Sequence, residues 1–345
     1  MIYTVESVLQ GHPDKICDQI SDAILDAYIQ KDNTARTAIE CMGCGTNFIV
    51  AGEVHKLDLV DIEEVVQKVY SSIGYMNKLN ITNLLHPQSS QLNSAVISGG
   101  AGDQGVVYGY AIDNDYNMLP YGSYISNLIA REIDSYRRQV DYLLPDGKIQ
   151  VTVLDDVIKQ LVISVQHKES VAVDFVKSDI INNVLSRILD CSGLNIQINK
   201  NSHFYNGGFS NDTGLTGRKL MIDTYGGCIV HGGGAFSGKD PSKIDRSAAY
   251  MARYIAKNIV ANGLEKECTI SIAYVFGEDS PIMVNVETRN GKTSTKLSEF
   301  IQSKFDLRPE AITEQLDLRH TSYLPTSVYG HFTNPQYNWE RIISI

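Results

Sequence analysis

The sequence has no long hydrophobic run. Apolar stretches such as Ile270 to Phe276 are much shorter than the about 18 residues that a membrane-spanning helix needs. The first residues, from Met1 to Ser7, contain neither the basic nor the apolar region of a secretory signal peptide. We therefore expect no transmembrane helix, no membrane partner and a cytoplasmic location.

Basic residues and cysteines are also scarce. The chain has 30 Lys and Arg against 40 Asp and Glu, a formal net charge of -10, which argues against nucleic acid as a general partner. Its 6 cysteines are scattered over 345 residues, so we expect reduced thiols rather than a disulfide framework. Cys41 and Cys44 form a lone C-x-x-C pair without the two further ligands of a structural zinc site.

The length and the hydrophobic pattern predict an α+β protein. A chain of 345 residues with 43% hydrophobic residues is long for one core, so two or three subdomains are expected. Helical spacing and end signals predict helices after Pro13, at 61–73, near 125–140 and 179–189, and from a cap at Asp240 to Gly263. Strand patterns lie at 37–39, 48–54, 106–112, 149–154 and 160–167. These modules divide the chain into an N-terminal domain 1–90, a central domain 91–206 and a C-terminal domain 207–345.

Four aspartates, Asp14, Asp18, Asp22 and Asp26, repeat every four residues along the first helix. A charged stripe of this kind is typical of the solvated face of a helix, and we interpret the last three in that way. Asp14 differs because it lies beside His12, where a loop enters the helix. The sequence therefore predicts a chemical role for Asp14 only.

Two glycine-rich loops resemble nucleotide-binding motifs. Gly100 to Gly105 fits G-x-G-x-x-G, but the residues after it have a strand pattern where a dinucleotide fold needs a helix. Gly233 to Lys239 fits the start of a P-loop, but Asp240 replaces the Ser or Thr that holds magnesium. Neither fold is predicted. Consecutive amides, a helix start and Lys239 still favour phosphate binding; the alternative is a turn that only joins a strand to a helix.

Basic residues cluster near the second loop. Five of them fall in a short stretch of this acidic chain: Arg218, Lys219, Lys239, Lys243 and Arg246. Arginine binds phosphate oxygens in pairs and lysine acts as a movable point charge, so the mixture suits a polyphosphate. A solvated basic face is the alternative.

Taken together, the motifs resemble those of the S-adenosylmethionine synthetase family. They are Gly11 to Lys15, Gly100 to Gly105, Gly214 to Lys219, Asp223 to Gly227 and His231 to Arg246, and with their flanks they span nearly the whole chain in the family's order. The resemblance implies three sheet-and-helix domains related by pseudo-threefold symmetry. It also implies a homo-oligomer, either a dimer or a dimer of dimers, with active sites between subunits.

The resemblance further implies that ATP and L-methionine form S-adenosylmethionine, with the triphosphate cleaved to pyrophosphate and phosphate. A thioether sulfur is nucleophilic and carries no proton, so its attack on the ribose 5′ carbon needs alignment and leaving-group stabilisation rather than a base. The absence of a required base agrees with the sequence, in which we recognise no catalytic triad built on Ser or Cys. A catalytically poor regulatory relative of the same fold is the alternative function.

Individual roles follow from the same resemblance. The catalytic residues would be His12, Lys148, Arg218 and Lys239. The ATP site would comprise His12, Asp146, Gly147, Lys148, His203, Phe204, Asp212, Arg218, Lys219, Ala235 and Lys239, with Phe204 stacked on adenine. Methionine would bind Glu53, Gln88, Asp103, Asp212 and Lys243. Asp14 and Asp245 would hold two Mg2+ ions, which prefer oxygen ligands, and Glu40 would hold one K+ ion.

The sequence departs from the family pattern in the gating loop and beside the adenine-stacking residue. Gln88 to Leu92 reads Q-S-S-Q-L where relatives usually have Q-S-P-D-I, so a proline and a carboxylate of the gating loop are missing. His203 stands where an arginine often precedes the adenine-stacking Phe204. We expect the first departure to affect methionine use and the second to weaken a nucleotide contact.

Overall fold

The computed structural model describes residues 2–88, 100–200, 203–289 and 291–345. The predicted gating loop falls largely outside these ranges. The strands are β1 (Ile2–Val8), β2 (Thr37–Cys44), β3 (Asn47–Val54), β4 (Asn80–Pro87), β5 (Gly105–Ile112), β6 (Leu143–Leu154), β7 (Val157–His167), β8 (Asn195–Ile198), β9 (Gly214–Leu215), β10 (Glu267–Tyr274) and β11 (Met283–Thr288). The helices are α1 (Pro13–Lys31), α2 (Ile62–Ile73), α3 (Tyr121–Arg137), α4 (Val173–Asn183), α5 (Leu220–Asp223), α6 (Ile244–Ala261), α7 (Thr295–Lys304) and α8 (Pro309–Gln315).

The strands form three sheets, which confirms the α+β class. Sheet A has the order β1-β6-β7-β8, sheet B the order β4-β3-β2-β9 and sheet C the order β11-β10-β5. Each sheet contains an antiparallel hairpin, and in each the first strand of that hairpin pairs with a strand from a distant part of the chain. In sheets A and B a helix then leads to a parallel strand. The repeated topology is a structural repeat without a matching sequence repeat.

The sheets are not built from consecutive stretches of chain. Sheet A joins β1 to strands between 143 and 198, sheet B joins β9 to strands between 37 and 87, and sheet C joins β5 to strands between 267 and 288. Each sheet therefore draws on two of the three ranges 1–90, 91–206 and 207–345. The boundaries between these three ranges remain a prediction. The sheets show that segments from different ranges pair with one another.

Helices cover one face of each sheet. Helix α1 packs on sheet B and against α2, α3 packs on sheet A, and α6 packs on sheet C. A separate hydrophobic core lies in each unit. Helix α6 is buried almost all round, from Ile244 to Val260. In the described part of the chain, no helix is long and apolar enough to cross a membrane.

Helix α6 begins later than the sequence suggests. Asp240 does not cap it: the Oδ1 atom accepts the Ser242 N–H at 2.8 Å and the Oδ2 atom accepts the Thr37 N–H at 2.8 Å. The first helical residue is Ile244. The predicted end is confirmed, because Gly263 follows α6 with φ +73°, a conformation that favours glycine.

The aspartate stripe on α1 is not a solvated face, and our interpretation of it is wrong. Asp14, Asp18 and Asp22 are each at most 1% exposed. They accept backbone N–H groups from Leu215, Gly217 and Gly238, at 3.0, 2.8 and 2.9 Å. Asp26, farther along, accepts those of Tyr323 and Leu324. The C-terminal part of the chain thus rests on a row of carboxylates.

A close helix-sheet contact gives a stability prediction. At Gly109 on β5, an added Cβ would lie 2.0 Å from the Ala252 carbonyl carbon of α6. We expect Gly109→Ala to lower the free energy of unfolding by about 3 kcal/mol, the upper end of typical overpacking costs. Gly233→Ala is the matched control, since its Cβ would meet nothing within 4 Å. Urea denaturation measures both, and equal stabilities would contradict this packing.

Candidate active site

His12 stands at the start of α1 as its N-cap residue. Its Nδ1 atom accepts the Asp14 backbone N–H at 3.2 Å. Burial, with the nearby cations of Lys219 and Lys148, lowers the pKa of His12 from 6.5 to about 4. The ring is therefore neutral near pH 7, and because Nδ1 is an acceptor, the proton lies on Nε2. His12 presents an uncharged N–H donor.

Asp14 joins the first basic loop to the same helix start. Its Oδ1 atom accepts the Leu215 N–H, and its Oδ2 atom accepts from the Lys219 ammonium at 2.5 Å. The Arg218 Nε atom lies 3.4 Å from Oδ1. The short strand β9 precedes Arg218 and Lys219 in the chain. It pairs with β2 at the edge of sheet B, where Leu215 lies opposite Met42. Two cations are thus gathered around one buried carboxylate.

Lys148 comes from sheet A. It pairs with Val8 across β1 and β6, and its Nζ atom lies 2.7 Å from the Glu6 carboxylate. Glu6, Arg218 and Lys219 line a cavity of about 310 Å³. We call His12, Asp14, Lys148, Arg218 and Lys219 the α1 cluster.

Asp146 and Gly147, both predicted to bind ATP, directly precede Lys148 on β6. Asp146 is buried, and its Oδ2 atom accepts the Gly208 N–H at 2.9 Å. Burial raises the pKa of Asp146 to about 6, and the charge of Asp212 adds to the effect. Gly147 has no room for a side chain, since an added Cβ would lie 2.7 Å from the Leu9 side chain. Asp146 therefore ties β6 to the segment after Phe204.

His203 and Phe204 differ in their surroundings. His203 is exposed, and its ring stacks on that of Tyr205 with the centroids 5.2 Å apart. The Tyr205 hydroxyl lies 2.7 Å from His203 Nδ1. The Phe204 carbonyl accepts the His167 N–H at 2.9 Å. These contacts hold the backbone at Phe204, while stacking of its ring on adenine stays a prediction.

A second cluster lies in the glycine-rich loop. The Lys239 ammonium donates to Asp245 Oδ2 at 2.5 Å, and an added Cβ at Gly234 would lie 2.0 Å from Asp245 Cγ. His231 lines the same small cavity as Gly234 and Asp245. We call His231, Gly234, Lys239 and Asp245 the glycine-loop cluster.

Two more predicted residues flank this second cluster. Lys243 donates to Asp240 Oδ2 at 2.9 Å. Burial alone would raise the pKa of Asp240, but Lys243 and the bonds to Ser242 hold it below its usual value. Ala235 packs against Gly217, where an added Cβ would lie 2.6 Å from the Ala235 Cβ. Ala235 thus brings the two basic loops into contact.

The predicted potassium residue and one of the predicted methionine residues lie on sheet B. Glu40 on β2 is exposed and Glu53 on β3 is half-buried. Glu40 pairs with Ala51 and Glu53 pairs with Ala38, so both carboxylates are on the same face of sheet B. Gln88 donates its N–H to Val54 O, and its Oε1 atom is buried without a hydrogen-bond partner among the described residues. Asp103 is exposed and accepts the Gln104 N–H.

The structure therefore gathers several of the predicted residues into three groups. The α1 cluster and the glycine-loop cluster each hold a carboxylate paired with a lysine. Within the described ranges, no ion pair joins the charged side chains of one cluster to those of the other. Glu40 and Glu53 form the third group, on the face of sheet B.

Sequence reasoning missed a buried ionic layer beneath the loops. Lys15, 1% exposed, lies between Asp18 and Asp223. Burial alone would lower the pKa of Lys15, but the two carboxylates raise it, so the side chain stays charged. Asp22 binds both terminal nitrogens of the Arg246 guanidinium at 2.8 Å. The i+4 spacing places the aspartates on one face of the helix, but it does not distinguish a buried ionic layer from a solvated face.

These features define a class of protein: three interlocked α+β units that carry two basic loops beside buried carboxylates. Its cations sit in backbone-held loops beside buried carboxylates, an arrangement suited to a multiply charged anion.

Comparison with known proteins identifies the family. Models of the N-terminal, central and C-terminal domains of S-adenosylmethionine synthetase match residues 1–95, 98–205 and 206–341. The chain therefore belongs to the S-adenosylmethionine synthetase family. In an alignment of 367 residues, it is 41% identical to the S-adenosylmethionine synthase of Sorangium cellulosum. The alignment covers 98% of this chain and 87% of that protein.

Two further relatives carry the same name. The S-adenosylmethionine synthase of Treponema denticola is 40% identical over 370 residues, which cover 98% of this chain and 95% of the relative. That of Tropheryma whipplei is 40% identical over 383 residues, covering 99% and 97%. The resemblance seen in the motifs is confirmed along the chain.

The environment of His12 gives a prediction about titration. Because its pKa is lower in the folded than in the unfolded chain, the unfolded state binds more protons between about pH 4 and 6.5, and this group makes stability rise with pH across that window. Histidine NMR should show a ring that stays neutral at pH 5.5. The signal lost in His12→Asn assigns it. A midpoint near 6.5 would contradict the environment described here.

Proposed function

We propose that the chain joins ATP and L-methionine into S-adenosylmethionine and cleaves the released triphosphate, with water, to pyrophosphate and phosphate. The observation that supports this proposal most strongly is the α1 cluster, in which a neutral His12 N–H donor lies beside the cations of Arg218 and Lys219. The family membership and the names of the relatives support the same reaction. The charged residues expected of an active enzyme are present, so no observation favours a catalytically poor relative.

The arrangement suits displacement at the ribose 5′ carbon. A bond from the methionine sulfur to C5′ forms as the C5′–O bond breaks, and the electron pair of that bond leaves with the triphosphate. The sulfur has no proton to lose, so stabilisation of the leaving oxygen is what the protein must supply. His12 Nε2–H would donate to this oxygen, while Lys148, Arg218, Lys219 and Lys239 would bind the phosphate oxygens.

The two carboxylates that face lysines suit two Mg2+ ions. Asp14 Oδ2 and Asp245 Oδ2 each lie 2.5 Å from an ammonium group, so each already faces a cation where a phosphate would bind. Hard oxygen donors are the ligands that magnesium prefers. Magnesium would neutralise and orient the triphosphate charge. One K+ ion at Glu40 remains part of the proposal.

A homo-oligomer is proposed from the uncovered face of sheet B. Met42 and Leu84 on this face are 42% and 55% exposed, and exposed apolar patches mark interaction sites. Glu40 and Glu53 share the face, so a second copy covering it would bring the methionine residues near an active site between subunits.

ATP as substrate and free cysteines fit a cytoplasmic location.

The reaction is tested with the purified full chain. Incubation with ATP, L-methionine, Mg2+ and K+ should give the sulfonium product together with equal amounts of pyrophosphate and phosphate, measured by mass spectrometry and phosphate assays. Omission of methionine is the control for simple ATP hydrolysis. Phosphate release without any sulfonium product would contradict the proposed function.

The ion assignments give a separate prediction. Asp14→Asn and Asp245→Asn should each raise the Mg2+ concentration needed for half-maximal rate by about tenfold or more, because an amide is an uncharged and poorer ligand. Glu40→Gln should instead weaken activation by K+. Steady-state titration of both ions measures this, with the partly exposed Glu132→Gln as control. Unchanged titrations in all three variants would rule out the assigned roles.

A further inference from the structure

Two glycines occupy matching positions in the two basic loops. Gly217 directly precedes Arg218 and Lys219, and Gly238 directly precedes Lys239. Their φ angles are +78° and +82°. The Gly217 N–H donates to Asp18 at 2.8 Å, and the Gly238 N–H donates to Asp22 at 2.9 Å. Each loop is therefore held by a buried α1 carboxylate at the residue before its cations.

Steric contacts fix both turns. An added Cβ at Gly217 would lie 2.6 Å from the Ala235 Cβ, and one at Gly238 would lie 2.0 Å from the Ile39 carbonyl oxygen. Backbone pairing with β2 adds to this restraint, since Leu215 pairs with Met42 and Lys239 with Ala38. The direction in which the next side chain leaves the backbone is thereby set.

The two carboxylates are held from their other side as well. Asp18 Oδ2 lies 2.9 Å from the Lys15 ammonium, which also contacts Asp223. Asp22 is bound by both terminal nitrogens of Arg246, and the NH1 nitrogen of Arg246 also donates to the Lys239 carbonyl at 3.1 Å. A buried carboxylate with partners on two sides has little freedom to move.

We propose that Asp18 and Asp22 are positioning residues of the polyphosphate site. They do not touch substrate; each sets the glycine that aims a basic side chain at the phosphates. This inference rests on the proposed function. Displacement of a positioned group by about 1 Å can cost about a hundredfold in rate, so anchors of this kind carry catalytic weight.

The same helix provides an internal control. Asp26 also accepts two backbone N–H groups, those of Tyr323 and Leu324, at 2.7 and 2.9 Å. That segment carries none of the predicted phosphate ligands. A purely structural role for the row of carboxylates predicts similar effects at Asp18 and Asp26, whereas positioning predicts an effect on polyphosphate binding at Asp18 and none at Asp26.

The test compares Asp18→Ala, Asp18→Asn and Asp26→Ala in the full chain with Mg2+. Calorimetry with inorganic tripolyphosphate should show binding weakened about tenfold or more in Asp18→Ala and within about threefold of the parent in Asp26→Ala. The KM for ATP should rise in Asp18→Ala while that for methionine stays constant. Asp18→Asn keeps an oxygen for the Gly217 N–H, so it should recover most of the affinity.

A partly unfolded preparation contains less active enzyme, but it does not raise the KM for ATP relative to the KM for methionine. Unfolding therefore cannot produce the expected result. If Asp18→Ala does not fold, Asp18→Glu, which keeps the charge but moves the acceptor, should give the same loss. Equal tripolyphosphate affinities in the Asp18 and Asp26 variants would overturn the proposal. Failure of the parent chain to form the sulfonium product would overturn the proposed function instead, whatever the variants bind.

Discussion

The structure depends on the pairing of buried carboxylates along α1. An ion removed from water needs close partners, because its desolvation costs several kcal/mol. Asp18 and Asp22 find these partners in two cations of their own layer, Lys15 and Arg246, and in the amides of two loops. Because those amides belong to the C-terminal part of the chain, satisfying the carboxylates also docks that part on the first helix. One electrostatic requirement therefore brings together residues that lie about 200 positions apart.

The same requirement explains how an acidic protein assembles a basic site. Loop cations repel one another, and the anions beneath them offset this repulsion before substrate arrives. Asp14 pairs with Lys219 and Asp245 with Lys239, so both cations are already oriented. Donors fixed in advance need no reorganisation as charge develops on a leaving group. His12 adds a neutral donor, because burial and nearby lysines disfavour its protonated form.

Much of the fold could be predicted from local patterns. Helical spacing indicated α1 and α6, the residues after Gly105 indicated β5, and the motifs together indicated the family. The function of the aspartate stripe could not be predicted, because its spacing is that of a solvated face and its partners lie far along the chain. The start of α6 was misplaced for a similar reason: Asp240 has a capping sequence, but its carboxylate binds the Thr37 N–H on β2. Long-range pairing also decides which strands share a sheet, and no local pattern encodes it.

Hydrogen exchange at the two loop glycines tests the central claim most directly. Amides in exposed loops exchange rapidly, whereas those bonded to buried groups exchange only when the structure opens. We predict that the Gly217 and Gly238 amides exchange about as slowly as core amides of α6, without any bound ligand. Exchange at the rate of an unstructured loop would show that the α1 carboxylates do not hold these loops, and would contradict the account.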